Sequence, residues 1–167
     1  MRVGLVTCAE VADLEPDDRL VVGPLAARGV HAEPVVWDAH DADWSAYDLV
    51  VLRSTWDYPQ RRQEFVAWAR GVGALANPAD VVEWNTDKRY LAELAAAGLP
   101  VVPTTWLAGE SWTPPATGEY VIKPSVGAGS LDTRLVKRLR GRPVTARRYL
   151  ALEGHRVLAE LRARLPL

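Results

Sequence analysis

The sequence predicts an α/β fold built on a parallel sheet, followed by a second, incomplete α/β unit. Three observations carry that reading. Val- and Leu-rich runs recur at residues 2–8, 30–37 and 48–54 without strict polar alternation, the pattern of strands buried on both faces. Segments with apolar residues at helical spacing lie between them, so strand and helix alternate. Composition then divides the chain. Residues 1–133 hold 10 Lys and Arg against 19 Asp and Glu, residues 134–167 hold 10 against 2, and all seven tryptophans fall in the first part.

Each element has its own signal. Asp17–Arg28 places Leu20, Val21 and Leu25 at helical spacing and stops at Gly29, with Pro24 predicting a late start or a kink. Leu49-Val50-Val51-Leu52 forms the centre of a third strand. Pro59 opens a helix with Phe65, Val66, Trp68 and Ala69 on its apolar side, ending near Gly71 or Gly73. Ala74–Ala76 reads as a short strand, and a first domain closes near residue 80. In the second unit, Asn85, Thr86 and Asp87 offer N-caps for a helix from Lys88 to Ala97, closed by Gly98. Val101–Leu107 is a strand that Pro103 places at an edge, and Glu119–Lys123 is another. A loop, Ser125 to Ser130, follows. The stretch His155–Arg164 carries Val157, Leu158 and Leu161 at helical spacing and reads as a basic amphipathic helix.

Composition bounds the function. With 167 residues, 49% hydrophobic and 25% charged, the chain can bury a core as a soluble protein. No run approaches the ~20 apolar residues that span a bilayer, and the start of the chain reads as a strand, not a signal peptide. Cys8, the single cysteine, excludes an intramolecular disulfide and accords with a cytoplasmic location. It is expected as a small buried residue at a strand end. The histidines show no metal-ligand spacing, and Asp38, Asp41 and Asp43 lack the glycine and terminal glutamate of a calcium loop. The basic tail has one stacking residue, Tyr149, so nucleic acid is not expected.

The chemistry concentrates in Tyr120-Val121-Ile122-Lys123-Pro124-Ser125-Val126-Gly127-Ala128-Gly129-Ser130. A lysine at a strand end offers a held point charge, and glycines let backbone N–H groups approach an anion. Together they form a plausible polyphosphate cradle, although a glycine-containing hairpin after an exposed lysine would read the same. The segment is neither a Walker A sequence nor a GxGxxG fingerprint. Lys88 adds weight, because Lys88 and Lys123 are the two lysines of residues 1–133, where the other eight basic residues are arginines. Arg53-Ser54-Thr55-Trp56-Asp57-Tyr58 follows a strand's carboxyl end, where open α/β sheets place ligands. Arg53 could hold a substrate carboxylate, with Ser54 and Asp57 beside it; an ion pair with Asp57 or another acid is the competing reading.

Several motifs in series carry a resemblance. They are Arg53–Tyr58, Asn77–Asp80, Trp84–Leu91, Val101–Thr104, and Val121–Pro124 with Gly127–Ser130. Over residues 1–133 the chain resembles the ATP-grasp superfamily, in the glutathione-synthetase-like and RimK-like branch that includes the D-cycloserine-biosynthesis ligase. The resemblance implies a pre-ATP-grasp parallel-sheet domain at 1–80 and an incomplete ATP-grasp domain at 81–133. It implies that Lys88 and Lys123 contact ATP phosphates and that Gly127, Ala128, Gly129 and Ser130 form the loop closing over them. It also implies a reaction class: ATP phosphorylates a carboxylate, and an amine or similar nucleophile displaces the phosphate, with Mg2+ compensating charge.

Residues 134–167, read as a basic and helical tail, do not match the family's pattern. Only Glu153 and Glu160 are acidic there, too few for a magnesium site, and truncation or a shifted reading frame would produce such a change. The expected function is a truncated ATP-grasp carboxylate–amine or carboxylate–thiol ligase that binds ATP phosphates at most. The alternative is a non-catalytic α/β module that binds a substrate or another protein. Expected partners are a nucleotide and a small carboxylate, with a homo-oligomer or a complementing chain left open.

Overall fold

The computed structural model describes residues 1–107, 118–139, 142–143 and 156–159. The chain divides into two units, Met1–Thr86 and Asp87–Leu167. The division falls a few residues after the position near 80 expected from sequence. The difference is a helix over Ala79–Asn85 that belongs to the first unit.

In the first unit, β1 (Arg2–Thr7) is the central strand. Two short helices follow, α1 (Pro16–Arg19) and α2 (Val22–Ala26). They replace the single helix expected over Asp17–Arg28. Pro24 sits inside α2, where it has no N–H to give, and the helical stretch breaks before it. Gly29 ends the segment at φ +73°, a conformation that disfavours any residue with a Cβ. β2 (His31–Val36) and β3 (Leu49–Ser54) then flank β1 in parallel, in the order β2-β1-β3. Ala74–Ala76 adds a parallel bridge to β3 through Val50↔Leu75.

The strands are buried on both faces, as their unbroken apolar runs predict. Val3 and Leu5 point to one side, with Leu14 and Ala32. Val6 and Val50 point to the other, into a cluster with Cys8, Trp37, Phe65, Ala69 and Val82. Gly4 allows a close approach there, since a Cβ would lie 3.3 Å from the Tyr47 ring. The second face is covered by α3 (Arg62–Gly71), entered through a 3-10 turn at Tyr58–Arg61. Phe65 is 1% exposed and anchors an aromatic group: Trp37 meets it edge-on at 5.3 Å, and Trp68 and Tyr58 stack on it at 5.4 and 5.6 Å. Burying one such ring is worth about 1.5–3 kcal/mol.

The helix α4 (Ala79–Asn85) closes the unit by burying Val82. Its signal was Pro78 followed by an acid in the first turn, Asp80. The paired β-branched residues Val81 and Val82 masked it. Arg62 fastens α3 to the end of α4, donating to the Glu83 carbonyl at 2.6 Å and to Thr86 Oγ1 at 2.9 Å.

The second unit begins with a turn in which the Asp87 carboxylate accepts from the Arg89 N–H. This leads into α5 (Tyr90–Ala96), which stops at Gly98, φ +78°. The sheet comprises β4 (Thr104–Trp106), β5 (Gly118–Pro124), β6 (Arg134–Leu139), β7 (Arg142–Pro143) and β8 (Arg156–Ala159). Its order is β4-β8-β5-β6-β7, antiparallel throughout. β4 takes an edge, as Pro103 predicts. Tyr120 and Val136 form the small core, with Leu107 and Ile122 against it.

Two expectations for residues after 133 change. Arg134–Leu139, expected as the start of a separate basic tail, is a strand paired with β5. Arg156–Ala159, read from sequence as part of an amphipathic helix, is a strand between β4 and β5. A Val-Leu pair flanked by small and basic residues satisfies helical spacing over so short a stretch, but pairing on both edges favours the extended form. Residue 155 and residues 160–164 of that expected helix lie outside the described residues. Among the described residues no helix is long and apolar enough to cross a membrane.

Candidate functional site

The two lysines and the glycine-rich loop come together. Lys88, Lys123, Pro124, Gly127, Ala128, Gly129, Ser130 and Thr133 line one cavity of about 210 Å³. Chain geometry explains the meeting. Lys123 ends β5, the loop of residues 125–133 connects β5 to β6, and the turn before α5 docks against the root of that loop. The docking is a main-chain bond, from the Lys88 N–H to the Ser125 carbonyl at 2.8 Å.

The Lys88 ammonium points into the same place. It donates to the Gly127 carbonyl at 2.8 Å and, more weakly, to the Ser125 carbonyl at 3.4 Å. Burial lowers its pKa, the neighbouring positive charge of Lys123 lowers it further, and Asp87 opposes both. Two lysines lining one cavity make its local potential positive, which favours an anion there.

The loop has the shape for that charge. Gly127 is needed for a close approach: a Cβ there would lie 3.0 Å from Pro124 Cγ and 3.7 Å from Lys88 Nζ. Gly129 has φ +56°, Ser130 has φ +59° and Asp132 has φ +55°. Successive turns close over them, from the Leu131 N–H to the Ala128 carbonyl and from the Thr133 N–H to the Ser130 carbonyl. Positive-φ positions in such a loop are the kind of backbone from which anion-binding nests are built. Holding Ser130 and Asp132 so costs roughly 1–3 kcal/mol each, a pattern that gathers at ligand sites. Ser125 is fully buried and its hydroxyl lacks a hydrogen-bond partner among the described residues. Such a group costs about 1–3 kcal/mol unless something satisfies it. From sequence this serine is one of two loop hydroxyls expected to add donors, without being singled out as a site residue.

The first unit separates the three residues proposed for a substrate. Arg53 and Ser54 both bond to Asp18, the guanidinium through a short ion pair and the hydroxyl at 2.5 Å. The competing ion-pair reading therefore describes Arg53, with Asp18 as the acid. Burial alone would raise the Asp18 pKa, but the bonds from Ser54 and Arg53 outweigh it and hold it below the ordinary value. Asp57 lies elsewhere, in a cleft of about 410 Å³ with Cys8, Glu10, Trp56, Gln60 and Arg61. Its carboxylate accepts from Trp37 Nε1 at 3.0 Å and from Arg61 at 2.7 Å. Arg61 also donates to Asp38 and lies 4.5 Å over the Trp37 ring. Sequence reading passed over Arg61 and Glu10; their only signal was position, shortly after the carboxyl ends of β3 and β1. Cys8 is buried as expected, and burial pushes its thiol pKa up, with the Glu10 bond adding to the shift.

A polyphosphate fits the cradle by charge, because Lys88 and Lys123 line it. Magnesium does not fit the one cluster found among the described residues, Cys8 with Glu10 and Asp57. That ion demands oxygen ligands in octahedral array, whereas this group offers one thiol, the Glu10 carboxylate and an Asp57 carboxylate already bonded to Trp37 and Arg61.

Comparison with known proteins follows the same outline. Residues 3–78 match the family described as D-cycloserine synthetase DcsG, N-terminal domain. Cycloserine biosynthesis protein DcsG of Streptomyces lavendulae is 34% identical over 171 residues, covering 93% of this chain and 57% of that protein. That coverage necessarily includes residues beyond 133. The crystal structure of D-cycloserine synthetase DcsG superposes with a TM-score of 0.75 at 28% identity, over 96% of this chain and 59% of that one. A RimK domain ATP-grasp protein from Sphaerobacter thermophilus shares the fold at 16% identity and a TM-score of 0.58, over 96% of this chain and 64% of its own. D-alanine–D-alanine ligase from Bacillus anthracis does so at 12% and 0.58, over 96% and 57%. The chain thus spans somewhat more than half the length of these relatives. In domain match, sequence and fold, the chain is similar over nearly all of its length to the corresponding part of D-cycloserine synthetase DcsG.

Proposed function

We propose that this chain binds the polyphosphate of ATP through Lys88, Lys123 and the loop Gly127–Ser130, as part of ligase-type machinery joining a carboxylate to an amine or thiol nucleophile. One observation carries the reading: both lysines and the loop line a single cavity. Diverging ammoniums would have favoured a binding module that merely keeps the scaffold. The residues named here bind the phosphates and compensate their charge, a large part of catalysis in phosphoryl chemistry. The bond-forming step is assigned to none of them. ATP and Mg2+ use by this chain, like its substrates, belongs to the proposal.

The test is calorimetric titration of the chain with ATP, with and without magnesium, beside Lys123→Ala. A charge-assisted hydrogen bond is worth about 1.5–3 kcal/mol, so the variant is expected to bind ten- to a hundredfold more weakly. Equal affinity in both proteins would remove Lys123 from the site.

A second reading concerns the first unit. The cleft beside Asp57 lies where a parallel sheet places ligands, at the carboxyl ends of β1 and β3. We propose it as the side that receives a small substrate, with Glu10, Trp56 and Arg61 around it. Arg53 and Ser54 then serve to hold α1 through Asp18. Arg53→Ala should leave small-molecule binding in the cleft intact, whereas Asp57→Asn should weaken it.

A further inference from the structure

The β5–β6 hairpin brings to the cavity a residue that the phosphate reading leaves without a role. In the pairing of the two strands Val121 faces Leu135 and Ile122 faces Arg134. One step further along, the same register sets Thr133 opposite Lys123. Residues opposite one another in an antiparallel pair project from the same face. Thr133 and Lys123 accordingly line the same cavity, with Val121 from that face beside them. Resting on the phosphate reading above, we propose that Thr133 is a further phosphate-binding residue: its hydroxyl donates a hydrogen bond to the phosphate group that Lys123 holds.

Three observations support this role. The first is the chemistry of the lining. Among the described residues that line the cavity, the charged and hydroxyl side chains are Lys88, Lys123, Ser130 and Thr133, and none is a carboxylate. An ammonium supplies charge with little direction, whereas a hydroxyl donates along a single O–H bond and so selects where a phosphate oxygen sits. The second is that this hydroxyl can be spared. Its bond within the chain goes to the Leu131 carbonyl at 3.5 Å. That is beyond the roughly 2.5–3.0 Å of an ordinary O–H···O bond, and a charged phosphate oxygen is the stronger acceptor. The third is that the position is held. The Thr133 N–H donates to the Ser130 carbonyl at 3.1 Å, closing the last turn before β6. The branched side chain is in turn stiff about its first torsion, so little freedom is lost when the hydroxyl engages a ligand.

Calorimetric titration of the full chain with inorganic tripolyphosphate tests this. Thr133→Val keeps the shape of the side chain and removes its donor. It should bind about ten- to a hundredfold more weakly, the range for one hydrogen bond to a charged group. Thr133→Ser keeps the donor and should stay within about threefold of the unmutated chain. Unchanged affinity in Thr133→Val would overturn the role of Thr133 and keep the phosphate reading. Equal losses in Thr133→Val and Thr133→Ser would trace the effect to the shape of the turn and not to the hydroxyl, and would overturn it as well. A second arm depends on no variant folding. The Cβ 13C resonance of Thr133 in the unmutated chain should shift in step with tripolyphosphate binding and stay in place with sodium chloride at equal ionic strength. Saturable binding with that resonance unmoved would again overturn the role of Thr133. Failure of the unmutated chain to bind tripolyphosphate would sink the phosphate reading, and Thr133 with it.

Discussion

Lys88 and Lys123 show how much a residue's role depends on what surrounds it. Both are ordinary lysines until the fold places them on one cavity, where burial and then Lys123 lower the Lys88 pKa against the pull of Asp87. The protonated form binds anions, so the sign follows directly. Tripolyphosphate affinity should be full at neutral pH and should begin to fall below the ordinary lysine value of 10.5, as pH rises through the lowered value of Lys88. Affinity measured against pH checks this; a decline only above 10.5 would contradict it. Gly127 gives a second prediction at this scale. A Cβ at 3.0 Å from Pro124 Cγ forces the loop to shift, so Gly127→Ala should destabilise the second unit by about 1–3 kcal/mol in thermal unfolding and weaken tripolyphosphate binding. The sequence made these residues legible because lysines are scarce where arginine is the habit. Arg53 was less legible. A guanidinium after a strand looks the same whether it awaits a carboxylate or already holds one, and its partner Asp18 lies 35 residues away.

At the scale of elements, what was local in sequence was readable. β1, β2 and β3 announce themselves by apolar runs, and Gly29 and Gly98 end helices at positive φ as their positions predict. What depends on distant partners was not. The strand at Arg156–Ala159 is set by β4 and β5 on either side, and nothing within four residues encodes that pairing. α3 illustrates how an element's identity and its energetics coincide. Its spacing predicted an apolar face at Phe65, Val66, Trp68 and Ala69, and three of these are buried in the structure. Phe65 stands at the centre of the aromatic group, so Phe65→Ala should cost roughly 3–5 kcal/mol, read as a lowered midpoint in denaturant with the slope unchanged. A loss below 1 kcal/mol would mean that the neighbouring rings collapse into the space.

At the scale of the whole molecule, the chain divides at Thr86 into two units, each with one of the two proposed sites. The first unit is a parallel sheet with a cleft at its carboxyl ends. The second is an antiparallel sheet whose β5–β6 connection, with the turn before α5, lines the cavity proposed as a phosphate cradle. Composition marked a boundary too, but at residue 133, and β6 runs straight on from there as the partner of β5. A change of charge along a sequence reports what solvent meets and not where a sheet ends. The most direct test of the central claim is amide hydrogen exchange of the full chain with and without magnesium ATP. The account predicts new protection confined to the peptides covering Lys88 and residues 123–133, with β1, β3 and α3 unchanged. Binding that protects only the first unit, or leaves residues 123–133 exchanging as before, would contradict it.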